Sequence, residues 1–280
     1  MPLSFGASTF SYMRREPALA SVRRLRQLGY RIMDILAVPG HLWPNELSAA
    51  ERMEWRRAAE RDDIIIDSLN PQPIDLNIGS CNDEVRAFSV ATYADMIRLA
   101  KDIGARTVVV VPGRVPMFVP PNANDTLEWA AESVATLSDV ARTEGMEMLL
   151  LENHPMTAFP MTGSLNALCE RVGQDNIRIA YDVANAEFVG EDQLEAIATL
   201  GDRIGQIHLS DARPGLLRHD PPGTGTVRFE AILTALEARG FPGVNILELI
   251  SDQPEEDFCR AAETLAIPRD LPGELQGVPA

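Results

Sequence analysis

"LLLENHP", residues 149–155, drives three leucines straight into Glu152, Asn153 and His154 before Pro155 breaks the run. The leucines read as buried strand. An unpaired charge is costly to bury, so such residues sit at a strand's open end or hold something. Which of the two applies depends on how the other strands end.

Strand-like runs alternate with helix-like stretches along most of the chain. The strand candidates are 3–9, 31–36, 64–69, 107–111, 146–152, 177–182, 204–210 and 244–250. Most are continuous apolar runs, the pattern of parallel strands covered on both faces. Amphipathic stretches such as "ALASVRRLRQLGY" and "TLEWAAESVATLSDVARTEG" lie between them. Several close on a glycine (Gly29, Gly104, Gly145, Gly240), the residue that most easily takes the left-handed, helix-ending conformation. Eight such units in 280 residues average about 35 residues each, which favours an α/β fold of the closed (β/α)8 TIM barrel type. A doubly wound open sheet is the alternative, but no GxGxxG follows the first strand. No linker or composition shift divides the chain. The expectation is a single barrel domain over 1–267 and a Pro/Gly-rich C-terminal tail over 268–280.

Composition narrows the function. The chain is 45% hydrophobic, ample for one core, and its formal charge of −16 would repel a nucleic-acid backbone. Cys81, Cys169 and Cys259 form no CxxC, which fits a reducing, cytoplasmic setting and gives a zinc–thiolate site no support. The start "MPLSFGASTF" lacks the pattern of a signal peptide, and no apolar run is long enough to span a membrane. A small-molecule enzyme is expected, with neither membrane nor nucleic acid as partner.

In such a barrel, function gathers at the carboxyl ends of the strands. Strand five ends in Glu152 and strand six in Asp182; strand seven carries His208 and strand eight carries Glu248. The intervals, 26 to 40 residues, are each about one strand–helix–strand repeat. One carboxylate at a strand end is usually a helix cap or a surface ion pair. Four ligand-type residues at one level on four successive strands are not. Their mutual repulsion calls for a cation, and an oxygen-rich set suits manganese, magnesium or cobalt.

Lesser candidates surround this set. "PGHLWP" (39–44) brings His41 and Trp43 to the mouth, either as substrate contacts, with the indole on a sugar-like ring, or as a packed loop. Arg114 follows strand four within reach of a substrate oxyanion, Asn185 is placed to orient ligand or substrate, and Asp211 to tune a metal site. "PPGTGT" (221–226), preceded by Arg218 and His219, reads as a phosphate cradle or as a plain loop.

"LLLENHP", "YDVANAEFVGED", "QIHLSDARPG", "PPGTGTVRFEAIL" and "LELI" resemble the sugar phosphate isomerase/epimerase superfamily of xylose isomerase-like barrels, from about residue 3 to 267. The resemblance implies a divalent metal, most often manganese, on Glu152, Asp182, His208 and Glu248. It implies an isomerase or epimerase of a keto-sugar or keto-polyol, working through an enediolate. Glu152 and Glu248 would face opposite sides of the substrate, one removing a proton and the other returning it. Arg213 resembles an arginine that steadies substrate oxygens in that family. The ketose 3-epimerases carry an asparagine, an arginine and a further glutamate shortly after the strand-five glutamate, an arrangement absent from "ENHPMTAFP". They and the dehydroshikimate dehydratases alike carry a histidine where this chain has Asn185. "ENHPMT" is similar instead to a Glu-x-His-Pro segment of some dehydroshikimate dehydratases, in which the extra histidine serves as base, so His154 is a catalytic candidate. A lyase acting on an inosose, a dehydroshikimate or a 3-keto-glycoside is therefore the alternative. A non-catalytic sugar-binding barrel and a DNA-repair nuclease rank below both. Barrels of this kind often form homo-oligomers.

Overall fold

A computed structural model describes residues 2–71, 76–116 and 118–271. Eight parallel strands close into a barrel: β1 (Ser4–Ser8), β2 (Ile32–Ala37), β3 (Ile65–Pro71), β4 (Thr107–Val110), β5 (Met148–Glu152), β6 (Ile177–Asp182), β7 (Ile204–Leu209) and β10 (Val244–Leu247). Closure is made by β1, which pairs with both β2 and β10. The outer helices are α1 (Ala18–Gln27), α2 (Ala49–Arg61), α3 (Asp83–Ile103), α4 (Ala123–Glu144), α5 (Thr162–Val172), α6 (Val183–Val189), α7 (Gln193–Leu200), α8 (Phe229–Ala238) and α9 (Pro254–Thr264). This is the single-domain (β/α)8 barrel expected from the sequence.

Alternation explains the leucines. Leu149 and Leu151 point outward into the core between strands and helices, with Ile179, Tyr181, Ile207, Leu209 and Leu247. Leu150 points inward, joining Val109 and Ala180 in a small apolar floor inside the barrel. Each fully buried aliphatic side chain contributes about 1.5–3 kcal/mol. Glu152 is two residues beyond Leu150, so it shares the inward face at the open end. The strand ends on a carboxylate because the face that was apolar below is polar above.

The long helices are set by their ends. The Asn82 side chain accepts the N–H groups of Glu84 and Val85 to start α3, which stops at left-handed Gly104. Asn122 and Gly145 do the same for α4.

Three features depart from the sequence reading. The sixth strand–helix unit carries two helices, α6 and α7, where one per unit was expected, with left-handed Gly190 capping the first. The stretch after β7 folds into an antiparallel hairpin, β8 (Asp211–Arg213) with β9 (Leu216–Asp220), before the PPGTGT loop. The chain also stays on the barrel past Ile267. The Asp270 N–H donates to the Gly29 carbonyl at 2.9 Å, and Arg26 donates to the Asp270 carbonyl at 2.6 Å. The rest of the expected tail, 272–280, lies outside the described residues.

Candidate metal centre

Glu152, Asp182, His208 and Glu248 are buried, and each offers one ligand-type atom within 4.8 Å of the others. His208 stands among three carboxylates: its Nδ1 is 3.3 Å from Glu152 Oε1, 3.6 Å from Glu248 Oε2 and 4.0 Å from Asp182 Oδ2. Burial disfavours charge on this imidazole, but Glu248 and Glu152 outweigh it and hold the His208 pKa well above the usual histidine range. Burial pushes the Asp182 carboxyl up. Glu248, equally buried, is instead held low by His208.

The residues fit a divalent cation. Among the described residues, His208 Nδ1 and Asp182 Oδ2 are buried polar atoms without a hydrogen-bond partner, and both belong to the four-residue cluster. Orphans of this kind cost about 1–3 kcal/mol each, and an ion is one of the standard ways to satisfy them. Three oxygens and one imidazole nitrogen suit manganese, magnesium or cobalt.

Neighbours fix the ligand-type groups. Asn70 donates to Glu248 Oε1 at 3.0 Å, which leaves Oε2 on the His208 side. Asp182 begins α6: its Oδ1 accepts the Asn185 N–H at 2.8 Å, while Oδ2 stays free. Asn153 holds the Asp182 backbone, accepting its N–H at 2.7 Å and donating to its carbonyl at 2.9 Å. Asn153, a residue to which the sequence reading gave no role, joins the ends of β5 and β6.

Above the cluster is a cavity of about 510 Å³ that exposes Glu152, Glu248, His154, Asn185, Arg218 and His219. His154 Nδ1 accepts the Met156 N–H at 3.2 Å, so in the neutral ring the hydrogen sits on Nε2. Burial lowers its pKa and favours that neutral form. Asn185 donates to the Asn153 carbonyl at 3.0 Å, and its own Oδ1 has no partner among the described residues. His219, which the sequence reading set only beside the PPGTGT loop, stands against the cluster itself. Its Nδ1 is 3.0 Å from Ser210 Oγ, 3.4 Å from Glu248 Oε2 and 3.8 Å from Asp182 Oδ2, and its ring rests on Phe10.

A family model for the xylose isomerase-like TIM barrel matches residues 22–267. The chain belongs to that family. Among its relatives, fructoselysine 3-epimerase of Shigella flexneri is 21% identical over 263 residues, 90% of this chain and 92% of that protein. Inosose dehydratase of Geobacillus thermodenitrificans is 25% identical over 178 residues, 54% of this chain and only 59% of that protein. The crystal structure of a D-tagatose 3-epimerase-like protein superposes with a TM-score of 0.81 at 22% identity, covering 94% of this chain and 98% of that one.

This xylose isomerase-like barrel keeps several expected site residues away from the cavity. Both His41 nitrogens are used internally, Nδ1 with the Glu16 carbonyl at 2.6 Å and Nε2 with Thr9 Oγ1 at 3.0 Å. His41 is therefore a strut between loops. Trp43 lines a different groove of about 770 Å³, with Met13, Val38, Leu76 and Phe88, which contains none of the four cluster residues. Arg213 is exposed and donates to the Thr224 carbonyl at 2.9 Å; Arg218, five residues on, lines the cavity instead. Arg114 exchanges backbone hydrogen bonds with the Asn77 side chain, and its charge is felt at His154.

The PPGTGT loop is already filled. Asp211 Oδ2 accepts the N–H groups of Gly223 and Gly225, each at 2.8 Å, and Oδ1 accepts those of Ala212 and Val227. Two of the amides that a phosphate would need are spent on a carboxylate. Gly225 is required there, because a Cβ would run into the Ala212 carbonyl and the Asp211 carboxylate.

Proposed function

We propose that this protein is a divalent-metal-dependent isomerase or epimerase of a keto-sugar or keto-polyol, moving a carbon-bound proton next to a carbonyl. The carrying observation is the convergence of Glu152, Asp182, His208 and Glu248 within 4.8 Å beneath an open cavity lined by both polar and apolar side chains. Manganese is the preferred ion, with magnesium and cobalt also compatible with the ligand set. When bound, it would supply Lewis acidity, stabilising the negative charge that develops on a carbonyl oxygen as the neighbouring C–H is broken.

The residues of the chain do the rest. Glu152 and Glu248 enter from β5 and the end of β10, with β6 and β7 between them along the barrel wall. They reach a substrate from different sides, so one takes a proton and the other returns it to the opposite face. His154, with its hydrogen on Nε2, donates to a substrate oxygen; Asn185 Oδ1 accepts a substrate hydroxyl. Arg218 closes the outer wall.

Elimination of water on the same scaffold is the second reading. It is favoured by His154, a donor on the cavity wall that could protonate a departing hydroxide. One experiment separates the two: incubation with Mn²⁺ and ketoses, inososes and 3-keto-glycosides in deuterated buffer, followed by mass spectrometry and NMR. An isomerase gives a product of substrate composition with deuterium on the carbon next to the carbonyl. A lyase gives a product lighter by the eliminated group, which is water from an inosose and the aglycone alcohol from a 3-keto-glycoside. No turnover across the panel with Mn²⁺ present counts against both.

A further inference from the structure

Beneath the cluster, a line of hydrogen bonds runs from the barrel's lower rim to His208, and every link has a forced direction. Arg106 donates to Asp67 Oδ1 at 3.0 Å; a guanidinium can only donate. Asp67 Oδ2 accepts from the Gln206 side-chain nitrogen at 2.7 Å, and Ser68 Oγ lies 3.0 Å from the same nitrogen. With its nitrogen end pinned there, Gln206 must turn its oxygen the other way. That oxygen meets His208 Nε2 at 2.7 Å. A carbonyl oxygen only accepts, so Nε2 keeps its hydrogen whatever occupies the other side of the ring. Nδ1, the nitrogen facing the three carboxylates, is left to offer a lone pair.

The backbone is bent to build this line. Met33 pairs with Ile66 and Asp34 with Ser68, so Asp67 is an extra residue bulged out of β3. Strict alternation would send Asp67 and Ser68 to opposite faces; the bulge lets both reach one amide. A matching irregularity on β7 leaves Gly205 extra, just before Gln206. Gly205 cannot carry a side chain, since a Cβ there would sit 2.7 Å from Leu150 Cδ2 and 3.0 Å from Arg178 Cβ.

We propose that Asp67 and Gln206 are positioning residues that fix the tautomer of His208, presenting Nδ1 to a divalent cation. Neither touches the cation or the substrate. They act through which ring nitrogen carries hydrogen, a control commonly worth 10–100-fold in metal affinity. The inference rests on the metal reading above and adds to it an origin for the ligand's orientation.

The test inverts the line and then restores it. In Asp67→Asn the oxygen stays on Arg106, so the new amide points N–H groups at Gln206. Gln206 then flips, its own N–H groups face Nε2, and hydrogen moves to Nδ1, where the cation should bind. Mn²⁺ affinity, measured by calorimetry on folded protein, should fall about 10–100-fold. Gln206→Glu alone sets two carboxylates against each other and also weakens binding. The double variant Asp67→Asn/Gln206→Glu restores the order, amide N–H to carboxylate to Nε2–H, and recovers most of the lost affinity. Losses that simply add in the double variant, or unchanged affinity in Asp67→Asn, overturn the proposal. Should the variants fail to fold, ¹⁵N NMR of the wild-type protein with diamagnetic Mg²⁺ decides it. Hydrogen on Nε2 of His208 supports the line, and hydrogen on Nδ1 overturns it. A wild-type protein that takes up no Mn²⁺ removes the metal reading itself, a result distinct from equal binding by wild type and Asp67→Asn.

Discussion

The Asn153 side-chain amide holds the backbone of Asp182 at both its N–H and its carbonyl, at 2.7 and 2.9 Å. Asn153→Leu would strand both of those buried groups. Loss of about 2–6 kcal/mol of unfolding free energy is expected, since each of the two unsatisfied groups costs about 1–3 kcal/mol. Urea denaturation should show a lower midpoint with an unchanged slope. A loss under about 0.5 kcal/mol, the size of an ordinary surface change, would show that water replaces the amide.

Ion binding should appear as stability before it appears as activity. A cation that binds only the folded state at a hundred times its Kd adds about 2.7 kcal/mol. Mn²⁺ should therefore raise the thermal midpoint and a chelator should reverse the rise. Glu152→Gln and Asp182→Asn should abolish the response. A variant that keeps the full wild-type shift would remove its residue from the ligand set.

Asp34 gives the pH dependence. It accepts from Ser8 at 2.8 Å and Ser68 at 2.5 Å inside the barrel, and burial pushes its pKa up to about 6. A carboxyl raised on folding favours the folded state most when protonated. That contribution is complete below pH of about 4 and is lost as pH rises through about 6. The full change is on the order of 2–3 kcal/mol. Asp34→Asn cannot ionise, so its stability relative to wild type should climb by that order between pH 4 and 7 in paired urea titrations. Parallel curves would contradict the burial argument.

Arginine substitutions separate the sequence expectation from the structural one. Arg213→Ala removes an exposed side chain bonded to one loop carbonyl and should leave kcat and KM almost unchanged. Arg218→Ala opens the cavity wall and should raise KM. The reverse result would mean that the hairpin rearranges around substrate.

His154→Ala distinguishes the two reactions. For an isomerase the loss should fall chiefly on KM, since the ring only holds a hydroxyl. For a lyase it should fall on kcat by about 10²–10⁴-fold. Unchanged kinetics would reduce His154 to a loop brace that accepts the Met156 N–H.

The barrel and its four ligand-type residues were legible because each depends on a local, repeated pattern: an apolar run, then a polar residue on the inward face. Glu152 beyond Leu150 and Asp182 beyond Ala180 follow from alternation alone. The position of His219 was not legible in this way, because it sits on the five-residue β9 of a hairpin whose other strand, β8, has only three residues, too few to show a period. Its one signal was Pro214-Gly215, a turn pair between β8 and β9 that marks a hairpin when read for turn chemistry. Asp67 was invisible for a different reason. A bulge is a mismatch between two strands, and one strand's sequence does not contain it. His41 misled because a histidine near a barrel mouth looks the same in sequence whether its nitrogens face substrate or, as here, Glu16 and Thr9.

The Asp211 carboxylate, buried against four backbone N–H groups, acts as a resident anion. Loops rich in glycine commonly wait for a ligand's charge to organise them, and the ordering cost is then drawn from binding free energy. This loop carries its own counter-charge on the strand beside it, so it is organised before any ligand arrives. Arg218, His219 and Asp220, just before the loop, line the cavity, so a substrate's affinity need not be diminished by ordering the chain that follows them.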